Sequence, residues 1–253
     1  MRGLERDYPT DSPHCARLAI IGRGRLGTAL DRALSGVGYD LIGPLGRGAD
    51  AAGAEVVLLC VPDAEIAAAA AMIAPGPLVG HCSGATGLGV LAPHDAFSLH
   101  PLMTVTPEGA RFTGAGAAIA GTSSRALATA RTLAGALGMV AVEVADEDRA
   151  AYHAAASIAS NFLITLEAAA ERLAASAGVE RELLIPLVRQ AVENWASLGP
   201  QRALTGPVAR GDEPTVAAQR AAVVARTPEL LELFDALTDA TRALAAGAAV
   251  SAR

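Results

Sequence analysis

Gly22, Gly24 and Gly27 stand in the spacing G-x-G-x-x-G, directly after a short apolar run from Leu18 to Ile21. Each glycine has a mechanical task. Gly22 permits a tight turn, Gly24 lets the backbone approach a pyrophosphate, and Gly27 lets a helix pack close to the strand. Arg23, Arg25 and Leu26 lie between them, where backbone N–H groups and the positive end of a helix dipole face phosphate. A glycine-rich turn that binds nothing has the same letters. The context decides for a dinucleotide, because a strand precedes, a helix follows, and further strand–helix units come after.

The second strand of such a unit normally ends in an acid that accepts hydrogen bonds from the adenosine ribose. Here the segment from Leu41 to Ala49 holds no acid, and Arg47 stands where a 2′-phosphate would lie. A guanidinium suits a phosphate because its planar fork donates two parallel bonds. Arg23 and Arg25 add positive charge. The expected cofactor is therefore NADP rather than NAD.

Further polar clusters fall at expected strand ends. Val61-Pro62-Asp63 closes the third strand, and its backbone is expected to line the cofactor, with Asp63 capping the next helix. His81-Cys82-Ser83-Gly84 closes the fourth and His100-Pro101-Leu102 the fifth. Ser83 is a candidate hydroxyl donor to both substrate and cofactor. His100 serves the substrate or orients its own loop. Asn161, a poor helix former in a largely apolar helix, needs a partner in substrate, nicotinamide or backbone. In Thr205-Gly206-Pro207-Val208-Ala209-Arg210-Gly211-Asp212, Arg210 offers a fork for an anion, while Asp212 either holds Arg210 or caps the next helix.

The elements that must position these groups are legible from apolar runs. Strands are expected over residues 18–21, 40–42, 56–61, 78–81, 96–99, 117–120 and 140–144, with helices over 28–35, 64–73 and 125–137. This alternation predicts an α/β domain with a doubly wound, mostly parallel sheet, and runs that are apolar throughout fit strands buried on both faces. After residue 145 the strand-like runs stop. Long helices are expected over 146–177, 180–198, 215–225 and 228–246, with a loop over 199–214. The expected organisation is a mobile tail over 1–15, a nucleotide-binding domain over 16–146, and an all-α domain over 147–253 for substrate and dimer contacts. The helix around Ala154 to Ala169 lacks a polar face, which predicts burial between two copies of the chain.

Composition narrows the class. The net charge of −6 argues against nucleic acid as a partner. No apolar run reaches membrane-spanning length, and the N-terminus lacks a signal peptide's apolar centre, so a cytoplasmic location is expected. Cys15, Cys60 and Cys82 fit no zinc or disulfide spacing, and no two histidines have i, i+4 spacing, so no metal is expected. All 20 basic residues are arginine. A lysine acid, base or Schiff base is thereby excluded within the chain.

Taken in order, the glycine fingerprint, Val-Pro-Asp, His-x-Ser-Gly, His-Pro-Leu, the helical Asn161 and Thr-Gly-Pro-x-x-Arg-Gly-Asp carry a resemblance. The chain resembles bacterial proteins that join a Rossmann-like domain to a helical domain of unknown function, of the 6-phosphogluconate dehydrogenase C-terminal type. It is similar in architecture to pyrroline-5-carboxylate reductase and ketopantoate reductase. The resemblance runs from Arg17 to the C-terminus. It implies an NAD(P)-binding domain, a helical dimerisation domain, and a site in the cleft between them. Hydroxyacid dehydrogenases of this superfamily carry Lys-x-x-Asn on the first long helix, and aligning Asn161 with it puts Ser157 or Ile158 at the lysine position. Ketopantoate reductases also rely on a lysine. Imine reduction needs less help, because the substrate can arrive protonated, so pyrroline-5-carboxylate reductase is the nearer analogy. The expected function is an NADP-dependent reductase of a small anionic carbonyl or imine compound, with Ser83 and Asn161 positioning it and Arg210 holding its anionic group. The alternative is a nucleotide-binding sensor or scaffold without turnover.

Overall fold

The computed structural model describes residues 17–251. The expected tail over 1–15, with Cys15, lies outside the described residues. The chain forms two compact units, one running to Ser160 and the other starting at Asn161.

The first unit is built on seven strands: β1 (Leu18–Ile21), β2 (Leu41–Leu45), β3 (Val56–Leu59), β4 (Leu78–His81), β5 (Ala96–Leu102), β6 (Gly116–Gly121) and β7 (Val140–Glu143). Their order across the sheet is β2-β1-β3-β4-β5-β6-β7. All neighbours pair parallel except β5 and β6, which run antiparallel, so the sheet is mostly parallel as its sequence predicts. Leu18 and Ile20 enter one core, Ala19 and Ile21 the other, which is the two-residue period of a strand covered on both faces. Helices α1 (Arg25–Gly36) and α3 (Ser124–Ala136) cover the first face through Leu30, Leu34, Ala130 and Leu133. Helix α2 (Ile66–Ala71) covers the second with Ile66 and Ala70. The chain leaves β1 for β2 on one side and reaches β3 on the other. This reversal opens a crevice at the carboxyl ends of β1 and β3. Helix α4 (Arg149–Ser157) closes the unit.

The second unit holds α5 (Leu163–Ala175), α6 (Arg181–Leu198), α7 (Pro200–Ala203), α8 (Pro207–Arg210), α9 (Glu213–Arg226) and α10 (Leu231–Ser251). The expected loop over 199–214 thus contains two single-turn helices. Each starts with proline at its first position, after Gly199 or Gly206 at positive φ, and proline is preorganised for that place. The expected continuous helix over 146–177 is interrupted by a π turn, Ile158–Phe162, between α4 and α5. Among the described residues no helix is long and apolar enough to cross a membrane.

Candidate functional site

The glycine turn leaves β1 at its carboxyl end. Gly22 has φ +125°, and a Cβ there would stand 2.2 Å from the Cys60 carbonyl oxygen. A Cβ on Gly27 would stand 2.0 Å from the Gly22 carbonyl oxygen. Both glycines therefore let α1 begin hard against β1 and β3. Gly24 has open space where a Cβ would be, and it caps α1 in an extended conformation with no side-chain hydrogen bond. The helical ladder begins at Thr28 N–H, which donates to the Gly24 carbonyl at 3.0 Å. The N–H groups of Arg25, Leu26 and Gly27 come before it, at the end of the helix where an anion is favoured. This turn fits a dinucleotide diphosphate.

At the end of β2, Arg23 donates from Nε to the Pro44 carbonyl at 3.1 Å, and its Cζ lies 3.8 Å from where a Gly46 Cβ would stand. Arg47 reaches instead to Glu65, with Nη2 3.1 Å from Oε1 and its side chain 81% exposed. An ion pair so exposed contributes at most about 1 kcal/mol, so a phosphate can compete for the guanidinium.

A polar cluster gathers where β3, β4 and β5 end. Val61 and Pro62 lead from β3 into a 3-10 turn, Asp63–Glu65. Asp63 does not cap that turn with its side chain. Its Oδ2 accepts the Ser83 hydroxyl at 2.7 Å. Ser83 Oγ also accepts from the N–H groups of Ala85 at 3.2 Å and Thr86 at 2.9 Å. One hydroxyl carries one proton. Ser83 can direct it to the Asp63 carboxylate or to Thr86 Oγ1 at 2.9 Å, and it closes the turn after β4, so the hydroxyl sits at the expected strand end inside a local network.

Below this turn, His81 is fully buried, and its Nδ1 accepts from Ser83 N–H at 3.2 Å. Burial, then the charge of Arg149, holds its pKa below the ordinary imidazole value. Arg149 from α4 is only 2% exposed. It donates from Nε to Asp146 Oδ1 at 2.7 Å and from Nη2 to Ser98 Oγ at 2.5 Å. Asp146 Oδ2 accepts from Leu88 N–H at 3.1 Å, tying α4 to the segment after β4. Desolvation pushes the Asp146 carboxyl up, but the bonds from Arg149 and Leu88 and the guanidinium charge outweigh it and leave the pKa below its ordinary value. The sequence marks residue 146 as a helix start and singles out neither Asp146 nor Arg149. The i, i+3 spacing of the two was the available signal.

His100 is half-buried within β5, which runs on to Leu102 past the expected end at residue 99 because the antiparallel pairing with β6 continues through His100 and Leu102. Its Nδ1 lies 2.8 Å from the Tyr152 hydroxyl, and the two rings meet edge to face at 5.5 Å. The His153 ring lies 6.0 Å away on the same side. Burial, then the charges of His153 and Arg149, pushes the His100 pKa down to about 4. Tyr152 has no counterpart in the sequence-based expectations. The sign of the pH effect follows from linkage. An unfolded chain protonates this imidazole near pH 6.5, whereas the folded chain resists until about 4, so stability is complete above 6.5 and falls as pH drops between these values. Urea unfolding at pH 7 and pH 4.5 should differ by about 2–3 kcal/mol from this group. His100→Gln should remove that part of the difference, and an unchanged acid limb in the variant would refute the assignment.

The structure brings Ser83 and His100 together at the sheet's carboxyl edge. Asn161 lies in the π turn Ile158–Phe162. Arg210 ends α8 in the helical unit, between Gly206 and Gly211, both at positive φ. Of the two roles expected for Asp212, the structure shows the cap. Its Oδ1 accepts from Thr215 N–H at 3.3 Å and its Oδ2 from the Thr215 hydroxyl at 2.7 Å.

Comparison with known proteins places the fold. No curated protein matches the chain. Protein BF3122 from Bacteroides fragilis, provisionally named an NADP oxidoreductase, is similar at a TM-score of 0.77 and 20% identity, over 90% of this chain and 98% of that one. Protein TM1727 from Thermotoga maritima is similar at a TM-score of 0.75 and 26% identity, over 91% and 98%. Pyrroline carboxylate reductase from Plasmodium falciparum, solved with NADP bound, has a TM-score of 0.59 at 13% identity, over 91% and 98%. Residues 45–107 match a Rossmann-like domain, and residues 115–241 match the domain of unknown function DUF2520. The expected pairing of a Rossmann-like domain with a helical domain of unknown function is thereby met, and the chain belongs to the DUF2520 family.

Proposed function

We propose that this protein is an NADP-dependent reductase acting on a small anionic carbonyl or imine compound. One observation carries the reading. A diphosphate-shaped glycine turn at the end of β1 shares the sheet's carboxyl edge with a buried, proton-carrying cluster at the ends of β4 and β5. The NADP bound to the Plasmodium enzyme of the same fold supports the cofactor. NADPH, when bound, supplies a hydride. The glycine turn, Arg23 to Gly27, would hold the diphosphate, with Val61 and Pro62 alongside. Arg23, bonded at Pro44, and Arg47, just past the β2 end, would hold the 2′-phosphate. Ser83 and Asp63 would fix the turn after β4. Asn161 and Arg210 are assigned to the substrate by their chemistry, Arg210 to its anionic group. Residues 16–146 would bind the nucleotide, and 147–253 would serve substrate and dimer. A reducing compartment such as the cytoplasm suits Cys60 and Cys82, free thiols whose Sγ atoms lie 3.7 Å apart.

Calorimetry tests the cofactor directly. NADPH should bind more tightly than NADH. Arg47→Ala and Arg23→Ala should each weaken NADPH by about ten- to a hundredfold, the cost of one charge-assisted contact, and leave NADH nearly unchanged. Equal affinities in the unaltered protein would reject the 2′-phosphate assignment. Binding without consumption of NADPH across a panel of oxo acids and cyclic imines would instead favour a sensor or scaffold.

We also propose a homodimer. Leu183, Leu187 and Trp195 of α6 are 70%, 67% and 59% exposed, and Phe162 and Ile164 are similarly uncovered. Apolar surface of this extent on a helical unit calls for a partner. Light scattering should report about twice the 25.4 kDa chain mass, and a monomer at micromolar concentration would refute the dimer.

A further inference from the structure

A carbonyl that accepts a hydride must also gain a proton. The chain has no lysine, and the Ser83 hydroxyl is engaged by Asp63 at 2.7 Å and Thr86 at 2.9 Å. A hydrogen-bonded, proton-carrying pair at this edge of the sheet is His100 with Tyr152. We propose that His100 is the proton donor of the site and that Tyr152 is the positioning residue that sets its tautomer and reloads it. The inference rests on the reductase reading above.

The geometry divides the imidazole into two ends. Nδ1 is turned to α4, where the Tyr152 hydroxyl lies at 2.8 Å. Nε2 is turned to the turn after β4, where it would stand 2.9 Å from a Cβ on Gly84. His153 Cδ2 would be at the same distance, so glycine is what allows both rings to close on this turn. A neutral imidazole carries one proton, on the nitrogen that its neighbour's hydrogen bond leaves to it. With the phenol donating to Nδ1, that proton sits on Nε2, at the end facing Ser83's turn. Tyr152, His153, Arg149, Asp63 and His81 are the titratable and charged groups around the ring, and burial keeps it neutral at pH 7.

The step balances without a charged imidazole. The substrate carbon takes the hydride while its oxygen takes the Nε2 proton, so the C=O π bond gives way to C–H and O–H. The Tyr152 O–H bond breaks as its proton passes to Nδ1. The phenolate left behind lies in the field of Arg149, which opposes the upward pull of burial on the Tyr152 pKa, and it takes the Nδ1 proton back as Nε2 recovers a proton from water, which restores the starting tautomer. An iminium arrives already protonated and has no use for this donor. A built donor therefore narrows the substrate class to a neutral carbonyl carried by an anionic compound, such as a 2-oxo acid.

Nitrogen-15 NMR of the labelled full chain at pH 7 tests this, with the His100 signal assigned by its loss in His100→Gln. The expected result is a neutral ring protonated on Nε2, and Tyr152→Phe should shift protonation toward Nδ1. An Nδ1-protonated or charged ring in the unaltered protein overturns the proposal, even where NADPH binds and the reductase reading stands. NADPH calorimetry on the same samples judges that reading separately, and absence of binding ends the donor role with it. With pyruvate as the probe, any turnover should fall about tenfold or more in kcat on Tyr152→Phe, with KM nearly unchanged, and further in His100→Gln. Full kcat in either variant also overturns the proposal.

Discussion

Asp146→Ala is expected to destabilise the sheet-bearing unit by about 3–5 kcal/mol, the cost of leaving a buried charge without its partner. Arg149 is 2% exposed, and Asp146 is its carboxylate. Without that carboxylate the guanidinium keeps the Ser98 hydroxyl, and Leu88 N–H loses its acceptor. The reverse substitution, Arg149→Met, should cost less, because the Asp146 side chain is 50% exposed and water can solvate it. Joining the two substitutions should recover part of the loss, since an apolar chain then fills the site. Urea unfolding of the single and double variants measures all three. A cost below about 1 kcal/mol for Asp146→Ala would show that the pair is solvated in solution.

Gly27→Ala should both destabilise the protein and abolish nucleotide binding. The added methyl would stand 2.0 Å from the Gly22 carbonyl oxygen and 3.2 Å from Cys60 Cβ, so α1 must lift off the sheet. Overpacking against backbone costs typically about 1–3 kcal/mol, and here no flexible side chain can move aside. Gly24→Ala provides the contrast. Its methyl enters open space on an extended backbone and should leave the thermal midpoint unchanged. It projects from the face a diphosphate must approach, so NADPH should weaken by about tenfold or more. If both variants bind NADPH as the unaltered protein does, the turn is structural and the nucleotide reading fails.

Most of the scaffold was legible because each strand announces itself alone. Val56–Leu59 is apolar throughout, Leu78–His81 is apolar up to its final histidine, and both are buried on both faces. The antiparallel entry of β6 was not, since strand direction depends on how the chain returns from β5, and residues 103–115 make that return without a helix. The candidate site divides in the same way. Ser83 and His100 stand at expected strand ends and could be picked out. Tyr152 lies 52 positions from His100 and Arg149 lies 51 from Ser98, and only the pairing of Arg149 with Asp146 is local. Arg47 occupies the position expected of a 2′-phosphate ligand, but its direction is set by Glu65, a neighbour visible only in three dimensions. Two chemical readings of one side chain, as for Asp212, were separated only when Thr215 was seen to take both oxygens.

The π turn at Ile158–Phe162 carries a consequence for phase. An α-helix advances each residue by about 100° around its axis, and a π turn holds one residue more than an α turn. The extra residue therefore shifts the helical phase by about 100° within the turn itself. Deleting a single residue from the turn would restore an α-helical hydrogen-bond pattern there without altering any residue of α5. Asn161 lies inside that turn, so the number of residues there, and not only their identity, sets the local backbone geometry around it.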